Sequence, residues 1–305
     1  MKSAGSSWAL RAMPAVFVLI WSTGFIVARF GMPHAPPLGF LVLRYSASIA
    51  CFLLWIMLSK VKWPRQFRQW FHLALTGIFM HAGYLGGVWA AVKLGMGAGL
   101  SALIVGLQPV LTGLWLSATG SRVSTRQWAG LTLGLVGLVM VVSRKFGTGG
   151  EANALNVALA LGALLSITIG TLYQKRFVQP CDVRTANCVQ LMAALVVTAP
   201  LALLEAEPVR WHPELIGALA WSVLALTLGG SSLLYLLIQK GAAASVASLM
   251  YLVPPTTALI AWLLFDEALT LSTLLGTALT ASGVALVVRT PLARRPHLLN
   301  EEKNP

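Results

Sequence analysis

Ten apolar blocks run through this sequence, and they restrict the chain to one class of structure. Of its 305 residues, 57% are hydrophobic and only 10% are charged, whereas a typical soluble domain carries roughly 25% charged residues. Most blocks are close to the roughly 20 residues that an α-helix needs to cross a bilayer. We therefore predict an all-α integral membrane protein with ten transmembrane helices, near residues 13–29, 38–58, 71–93, 97–119, 126–143, 153–174, 185–204, 215–238, 243–265 and 271–288.

The basic residues are distributed unevenly over the connectors between these blocks. The net charge is +13, and if the N-terminus is cytoplasmic, 16 of the 22 lysines and arginines lie on the cytoplasmic side. Because positive charge collects on that side of membrane proteins, both termini are predicted to be cytoplasmic. The distribution favours contact with anionic lipids over nucleic-acid binding. Arg44, in the second block, is interpreted as an anchor near the outer surface, with contact to a substrate carboxylate as the alternative.

The two halves of the sequence resemble each other at an offset of 145 residues. Leu107, Pro109 and Thr112 meet identical residues at positions 252, 254 and 257. This predicts two repeats of five spans each, over residues 1–149 and 150–305. Because five is odd, the second repeat has inverted topology, a common arrangement in transporters that work by alternating access around a central site.

Prolines interrupt the fourth and ninth spans at matching positions. A proline within a helix removes one backbone hydrogen bond, here at Pro109, Pro254 and Pro255. Such breaks are tolerated at membrane depth where protein or a water-filled cavity satisfies the freed carbonyls. We interpret the prolines as a matched pair of hinges, and a static kink that aids packing is the alternative.

Glycines recur at helical spacing in the fifth and tenth spans, at Gly130, Gly134, Gly137, Gly276 and Gly283. Small residues allow helix backbones to approach closely in lipid. We predict that these two spans pack on each other across a pseudo-twofold axis, with packing inside each half as the alternative.

Several segments carry a family resemblance that covers nearly the whole chain. They are "LIWSTGFIVAR", "LVLRYSA" and "GLQPVLTGLWL" in the first half, and "ASVASLMYLVPPTTALIAWLLFDEALT" and "LLGTALTASGVALVV" in the second. The chain resembles the drug/metabolite transporter (DMT) superfamily, in its EamA family. The resemblance implies ten helices, cytoplasmic termini and export of small metabolites such as amino acids from a bacterial cell across its plasma (inner) membrane. Arg122 departs from the family pattern, which usually has an acidic residue there.

Polar and aromatic side chains inside the spans are the candidates for a substrate cavity, because such groups tend to face the interior of a helix bundle. For His81, a purely structural hydrogen bond to a neighbouring helix is the alternative, as is a bond back to the backbone for each serine and threonine. The predicted cavity residues are Trp21, Thr23, His81, Tyr84, Trp89, Ser101, Gln108, Ser166, Tyr235, Ser248 and Tyr251.

No aspartate or glutamate lies deep in any block, so a cationic substrate would lack its natural partner. We therefore expect neutral or zwitterionic substrates, chiefly amino acids, with proton coupling through His81 and facilitated diffusion both open. A multidrug or nucleoside/purine-type exporter of the same fold is the alternative, followed by a lipid flippase or an intramembrane enzyme. No enzyme motif, cofactor site or metal site is predicted. The partners are small-molecule substrates and membrane lipids, and a monomer holds both halves, which we expect to be sufficient.

Overall fold

The computed structural model describes the backbone of residues 4–119, 124–145, 151–233 and 252–289, and the side chains of these ranges except 4–15, 116 and 287–289. Every regular element within these ranges is helical, which confirms the all-α prediction. The helices are α1 (Ala4–Gly31), α2 (Pro37–Ser59), α3 (Phe67–Lys93), α4a (Ala98–Val105), α4b (Gln108–Ala118), α5 (Thr125–Lys145), α6 (Ala154–Phe177), α7 (Val183–Ala202), α8 (Pro213–Ser231), α9 (Val253–Phe265) and α10 (Leu271–Arg289).

Seven of the described helices are long and apolar enough to cross a membrane, namely α2, α3, α4 over Ala98–Trp115, α5, α6, α7 and α8. Shorter apolar helices cover Val16–Gly31, Val253–Phe265 and Leu271–Leu286. Large apolar side chains such as Leu58 and Leu204 are 75% and 80% exposed, as expected where lipid is the solvent. A multi-pass membrane protein follows, while the count of ten spans stays a prediction.

Two glutamates in connectors accept hydrogen bonds from the starts of helices distant in sequence. Both contacts lie at one end of the bundle, which we call the acidic end. Glu205, after α7, accepts hydrogen bonds from the N–H groups of Leu38 (3.0 Å) and Gly39 (2.8 Å) at the start of α2. Glu267, after α9, accepts one from Ala98 (2.8 Å) at the start of α4a. Each carboxylate satisfies N–H groups that have no partner within their helix and meets the positive end of the helix dipole.

At the opposite end, the connectors at residues 60–66 and 178–182 meet beside the start of α3. The side chain of Gln69 bonds both the carbonyl oxygen (2.7 Å) and the N–H (3.1 Å) of Gln179. Lys60, Lys62 and Arg65 belong to the first of these connectors. We call this the basic end.

The glycines of α5 and α10 lie in a close contact between these two helices. A β-carbon at Gly137 would lie 2.5 Å from the carbonyl oxygen of Gly276. A β-carbon at Gly283 would lie 2.4 Å from the oxygen of Gly130 and 2.5 Å from the nitrogen of Gly134. Only residues without a side chain permit this backbone approach. The relation of the contact to a pseudo-twofold axis stays a prediction.

The fourth span is broken just before its proline. Helix α4a ends at Val105, two residues of turn follow, and α4b begins at Gln108, so Pro109 lies in its first turn. Pro254 and Pro255 lie in the first turn of α9. A β-carbon at Gly106 would lie 2.7 Å from Cγ of Pro254. The break in α4 and the prolines of α9 are therefore in contact.

Candidate functional site

A π-helical segment, Ile78–Gly83, lies in the middle of α3 and carries His81. Such segments are rare and occur frequently at functional sites. Two of its carbonyl groups accept hydrogen bonds from side chains on other helices: Phe79 from the Ser166 hydroxyl and His81 from the Tyr45 hydroxyl, both at 2.8 Å. These bonds fasten the segment to α6 and α2 at a depth where an unsatisfied carbonyl is costly.

A second π-helical segment, Ser222–Ser231, lies in α8. It covers the residues 223–228 that correspond to residues 78–83 of α3 at the 145-residue offset. Within it, the Thr227 hydroxyl donates a hydrogen bond to the carbonyl oxygen of Ser222, five residues back, at 2.8 Å. The lone pairs of Thr227 Oγ1 are then directed to α2.

Arg44 of α2 donates hydrogen bonds to this oxygen. Its Nε and Nη2 atoms donate to Thr227 Oγ1 at 3.2 and 3.1 Å. The side chain is only 6% exposed and lies seven residues inside α2, about 10 Å along its axis. The expectation of an anchor near the outer surface is therefore wrong: burial between α2 and α8 overrides the tendency of arginine to extend to the interface.

The charge of Arg44 has no counter-ion in the described part of the chain, where no carboxylate lies within 4.0 Å of it. Tyr45, His81 and Tyr84 are its electrostatic neighbours, and the Gln190 side chain approaches the imidazole of His81. We call Arg44, Tyr45, His81, Tyr84, Gln190 and Thr227 the central polar cluster. An unpaired charge at this depth is expensive and marks a functional site by default.

Unsatisfied polar atoms accompany this charge. His81 Nε2 and the hydroxyls of Ser48 and Ser222 are buried, and none has a hydrogen-bond partner among the described residues. Ser48 lies one helical turn after Arg44, and Ser222 belongs to the same π-helical segment as Thr227. Buried polar groups are normally paired, so each of these atoms lacks the partner that a polar guest or a water molecule would supply.

Ser166 contacts the π-helical segment of α3, and five other predicted cavity residues lie outside the central polar cluster. Trp89 stacks on Phe40 (ring centroids 4.2 Å apart) in the apolar core, and Thr23 donates to the carbonyl of Ile20 while it accepts from Trp221.

Trp21 packs on Phe17 at 5.2 Å. Gln108 bonds Thr171 of α6 at 2.9 Å. Ser101 is fully buried with an unpaired hydroxyl. Three predicted residues, Tyr235, Ser248 and Tyr251, lie outside the described residues.

Of the residues in this cluster, sequence reasoning named His81 and Tyr84 as candidates but did not name Tyr45, Gln190 and Thr227. The available signal was Arg44 itself, an arginine inside an apolar block. Its neighbours could not be found from sequence, because helical spacing predicts which residues share a face but not which helix that face contacts.

Three residues at the acidic end have ligand atoms within 4.8 Å of one another: His34, His212 and Glu214. Glu214 already forms a 2.8 Å hydrogen bond with His34, and the two imidazole rings stack at 4.3 Å. His212 Nδ1 also accepts the N–H of Glu214 at 3.3 Å. These contacts join the α1–α2 connector to the start of α8. Each of the three side chains therefore already has a partner within the protein.

Comparisons with known proteins find transporters among the relatives of this chain. "Uncharacterized transporter YvbV" of Bacillus subtilis is 26% identical over 284 residues, 90% of this chain and 89% of its own. "Uncharacterized inner membrane transporter YedA" of Escherichia coli is 28% identical over 214 residues, 70% and 68% of the two chains. The "Probable amino-acid metabolite efflux pump" of Escherichia coli is 24% identical over 282 residues, 89% and 92% of the two chains.

One protein of known crystal structure superimposes with a TM-score of 0.66 at 20% identity, over 91% of this chain and 96% of that one, so the fold is shared. The EamA-like transporter family matches twice, over residues 8–143 and 154–289. These two copies fit the fold of the drug/metabolite transporters. The chain therefore belongs to the EamA-like transporter family and is a membrane transporter.

Proposed function

We propose that this transporter exports small neutral or zwitterionic metabolites, chiefly amino acids, across a bacterial inner membrane, with both termini in the cytoplasm. The two repeats alternate access to the central polar cluster, and the chain acts as a monomer. The proposed substrate class rests on Arg44, whose buried guanidinium has no counter-ion among the described residues. A guanidinium presents planar, paired donors that match a carboxylate.

The geometry leaves part of Arg44 available for such a group. Nε and Nη2 share Thr227, whereas Nη1 makes no hydrogen bond with the described residues. A substrate carboxylate at Nη1 would supply the missing negative charge, and the unpaired Nε2 of His81 would offer a further polar contact. The 24% identical "Probable amino-acid metabolite efflux pump" supports this class of substrate.

The test is transport by the protein reconstituted in vesicles. Labelled amino acids, nucleosides and organic cations are offered with and without a pH gradient, which also separates proton coupling from facilitated diffusion. We expect uptake of amino acids, and a preference for an amino acid over its amide. Transport of none of the panel, or of organic cations alone, would overturn the proposal.

Arg44→Gln provides the test of the site. Loss of a charged hydrogen bond costs about 1.5–3 kcal/mol, so the apparent affinity for the amino acid should fall roughly 10- to 150-fold. The preference over the amide should disappear with it. Arg210→Gln, which removes an exposed charge at the acidic end, should leave both quantities unchanged. An unchanged preference in Arg44→Gln would remove Arg44 from the site.

A further inference from the structure

A polar pocket opens at the basic end, away from the central polar cluster. Its volume is about 310 Å³, roughly ten times the share of one water molecule in the liquid. The first turns of α3 form one wall, the end of α6 a second, and residues 178–180 the third. The double hydrogen bond between Gln69 and Gln179 holds the third wall on α3, so the pocket has a fixed frame.

Two arginines from different helices line this pocket, Arg68 of α3 and Arg176 of α6. Arg68 Nε donates to His72 Nε2 at 3.3 Å. Because Nε2 accepts, the proton of His72 is on Nδ1, which donates to the Tyr173 hydroxyl at 2.7 Å. This chain of bonds orients Arg68 and leaves its Nη atoms available to a ligand.

Neither arginine forms an ion pair in the ranges that the structure covers. Asp182 is the acidic residue nearest to Arg176 in sequence. It accepts two side-chain hydrogen bonds from Arg184, of 2.9 and 2.8 Å. Arg176 lies 5.4 Å from the ring centroid of Phe177. The pocket is thus lined by two positive charges that no described carboxylate neutralises, which favours an anionic ligand.

The surroundings place this pocket where lipid headgroups lie. The indoles of Trp63 and Trp70 stack at 5.4 Å next to the start of α3, and tryptophans are enriched at membrane–water boundaries. Phe67 and Phe71, on the same turns of α3 as Arg68, are 84% and 53% exposed. An apolar surface for acyl chains therefore adjoins the cationic pocket.

We propose that this pocket binds the headgroup of an anionic phospholipid. The phosphate lies between Arg68 and Arg176, and the acyl chains extend along the exposed phenylalanines of α3. Basic groups near a bilayer surface attract anionic lipids in general. Here the two guanidinium groups line one pocket. The proposal therefore requires that they contribute more to the affinity for an anionic phospholipid than the other cationic side chains of the basic end.

Native mass spectrometry of the delipidated full-length protein tests this, with phosphatidylglycerol and phosphatidylcholine as probes. The double variant Arg68→Gln/Arg176→Gln should bind phosphatidylglycerol about 10-fold more weakly, with phosphatidylcholine binding unchanged. The matched control is Lys62→Gln/Arg65→Gln, which removes two exposed charges at the same end outside the pocket and should change binding less than 2-fold.

Three results would overturn the proposal. Equal losses in the two double variants would indicate diffuse electrostatic attraction, and an unchanged affinity in the pocket variant would exclude both arginines. Displacement of phosphatidylglycerol by millimolar inorganic phosphate would identify free phosphate as the ligand. If the double variant fails to fold, the single variants Arg68→Gln and Arg176→Gln serve instead, each with an expected loss of about 3-fold.

Discussion

The contact between α3 and α7 leads to a prediction at Gly77. A β-carbon there would lie 2.2 Å from the carbonyl oxygen of Gln190, 2.5 Å from its Cα and 2.6 Å from its carbonyl carbon. All three are backbone atoms, which cannot turn away as a side chain would. The change Gly77→Ala therefore has to separate two helices that hold His81 and Gln190 in the central polar cluster.

The size of the effect follows from these distances. Ordinary contact begins at 3.4 Å, so the shortest distance must grow from 2.2 Å by about 1.2 Å. Overpacking of a protein interior costs roughly 1–3 kcal/mol, and contact with three backbone atoms places Gly77→Ala at about 3 kcal/mol. Alanine recovers about 1 kcal/mol of helix propensity. The expected net loss in the free energy of unfolding is about 2 kcal/mol, or roughly 30-fold in the equilibrium constant.

The same substitution at Gly162 is a matched control. Gly162 lies inside α6, and no atom apart from its chain neighbours and the backbone of its own helix lies within 4 Å of a β-carbon placed there. Gly162→Ala should therefore leave stability unchanged or raise it by up to about 1 kcal/mol. Unfolding by dodecyl sulfate in mixed micelles, followed by tryptophan fluorescence, measures both variants. Equal stabilities of Gly77→Ala and Gly162→Ala would refute the reasoning.

Three further changes test other contacts. Tyr45→Phe removes the hydrogen bond to the carbonyl of His81 and should lower the free energy of unfolding by about 1–3 kcal/mol. Glu267→Gln replaces charged hydrogen bonds at the start of α4a and should cost about 1 kcal/mol in the same assay. The third change concerns pH, since the hydrogen bond from Arg184 lowers the pKa of Asp182. The stability that Asp182 contributes is then fully present above its ordinary pKa and is lost as the pH falls through the lowered one. Wild type and Asp182→Asn should differ in stability at pH 5–7, and the difference should shrink as the pH falls below 3.8 through the lowered pKa of Asp182, whereas a difference independent of pH would contradict this assignment.

The apolar blocks predicted the ends of most helices closely, because the apolar length that crosses a bilayer determines where such helices begin and end. The block at 38–58 became α2 (Pro37–Ser59), and that at 153–174 became α6 (Ala154–Phe177). The shifts are larger at α1, which begins at Ala4 instead of 13, and at α3, which begins at Phe67 instead of 71. The first turn of α3 contains the polar residues Arg68 and Gln69, which extend the helix beyond the apolar part of its block.

The central polar cluster could be predicted only in part, because it depends on contacts between helices. Arg44 is visible in the sequence, but its partner Thr227 is 183 residues away. Thr227 reaches it from a π-helical segment, and no local residue pattern predicts that segment. The contact between Gly106 and Pro254 could not be predicted either: the sequence matched Pro109 with Pro254 but did not place the break in α4 beside the prolines of α9.

The two glutamate contacts at the acidic end have a consequence for biogenesis. Glu205 and Glu267 are synthesised more than 160 residues after the helix starts that they complete, at Leu38 and Ala98. Domains synthesised first generally fold first, yet here the N–H groups of α2 and α4a must wait for the second repeat. During synthesis, the first half of the chain therefore has two helix starts whose N–H groups lack their carboxylate partners. The second of these helix starts is completed only after Glu267 has been synthesised.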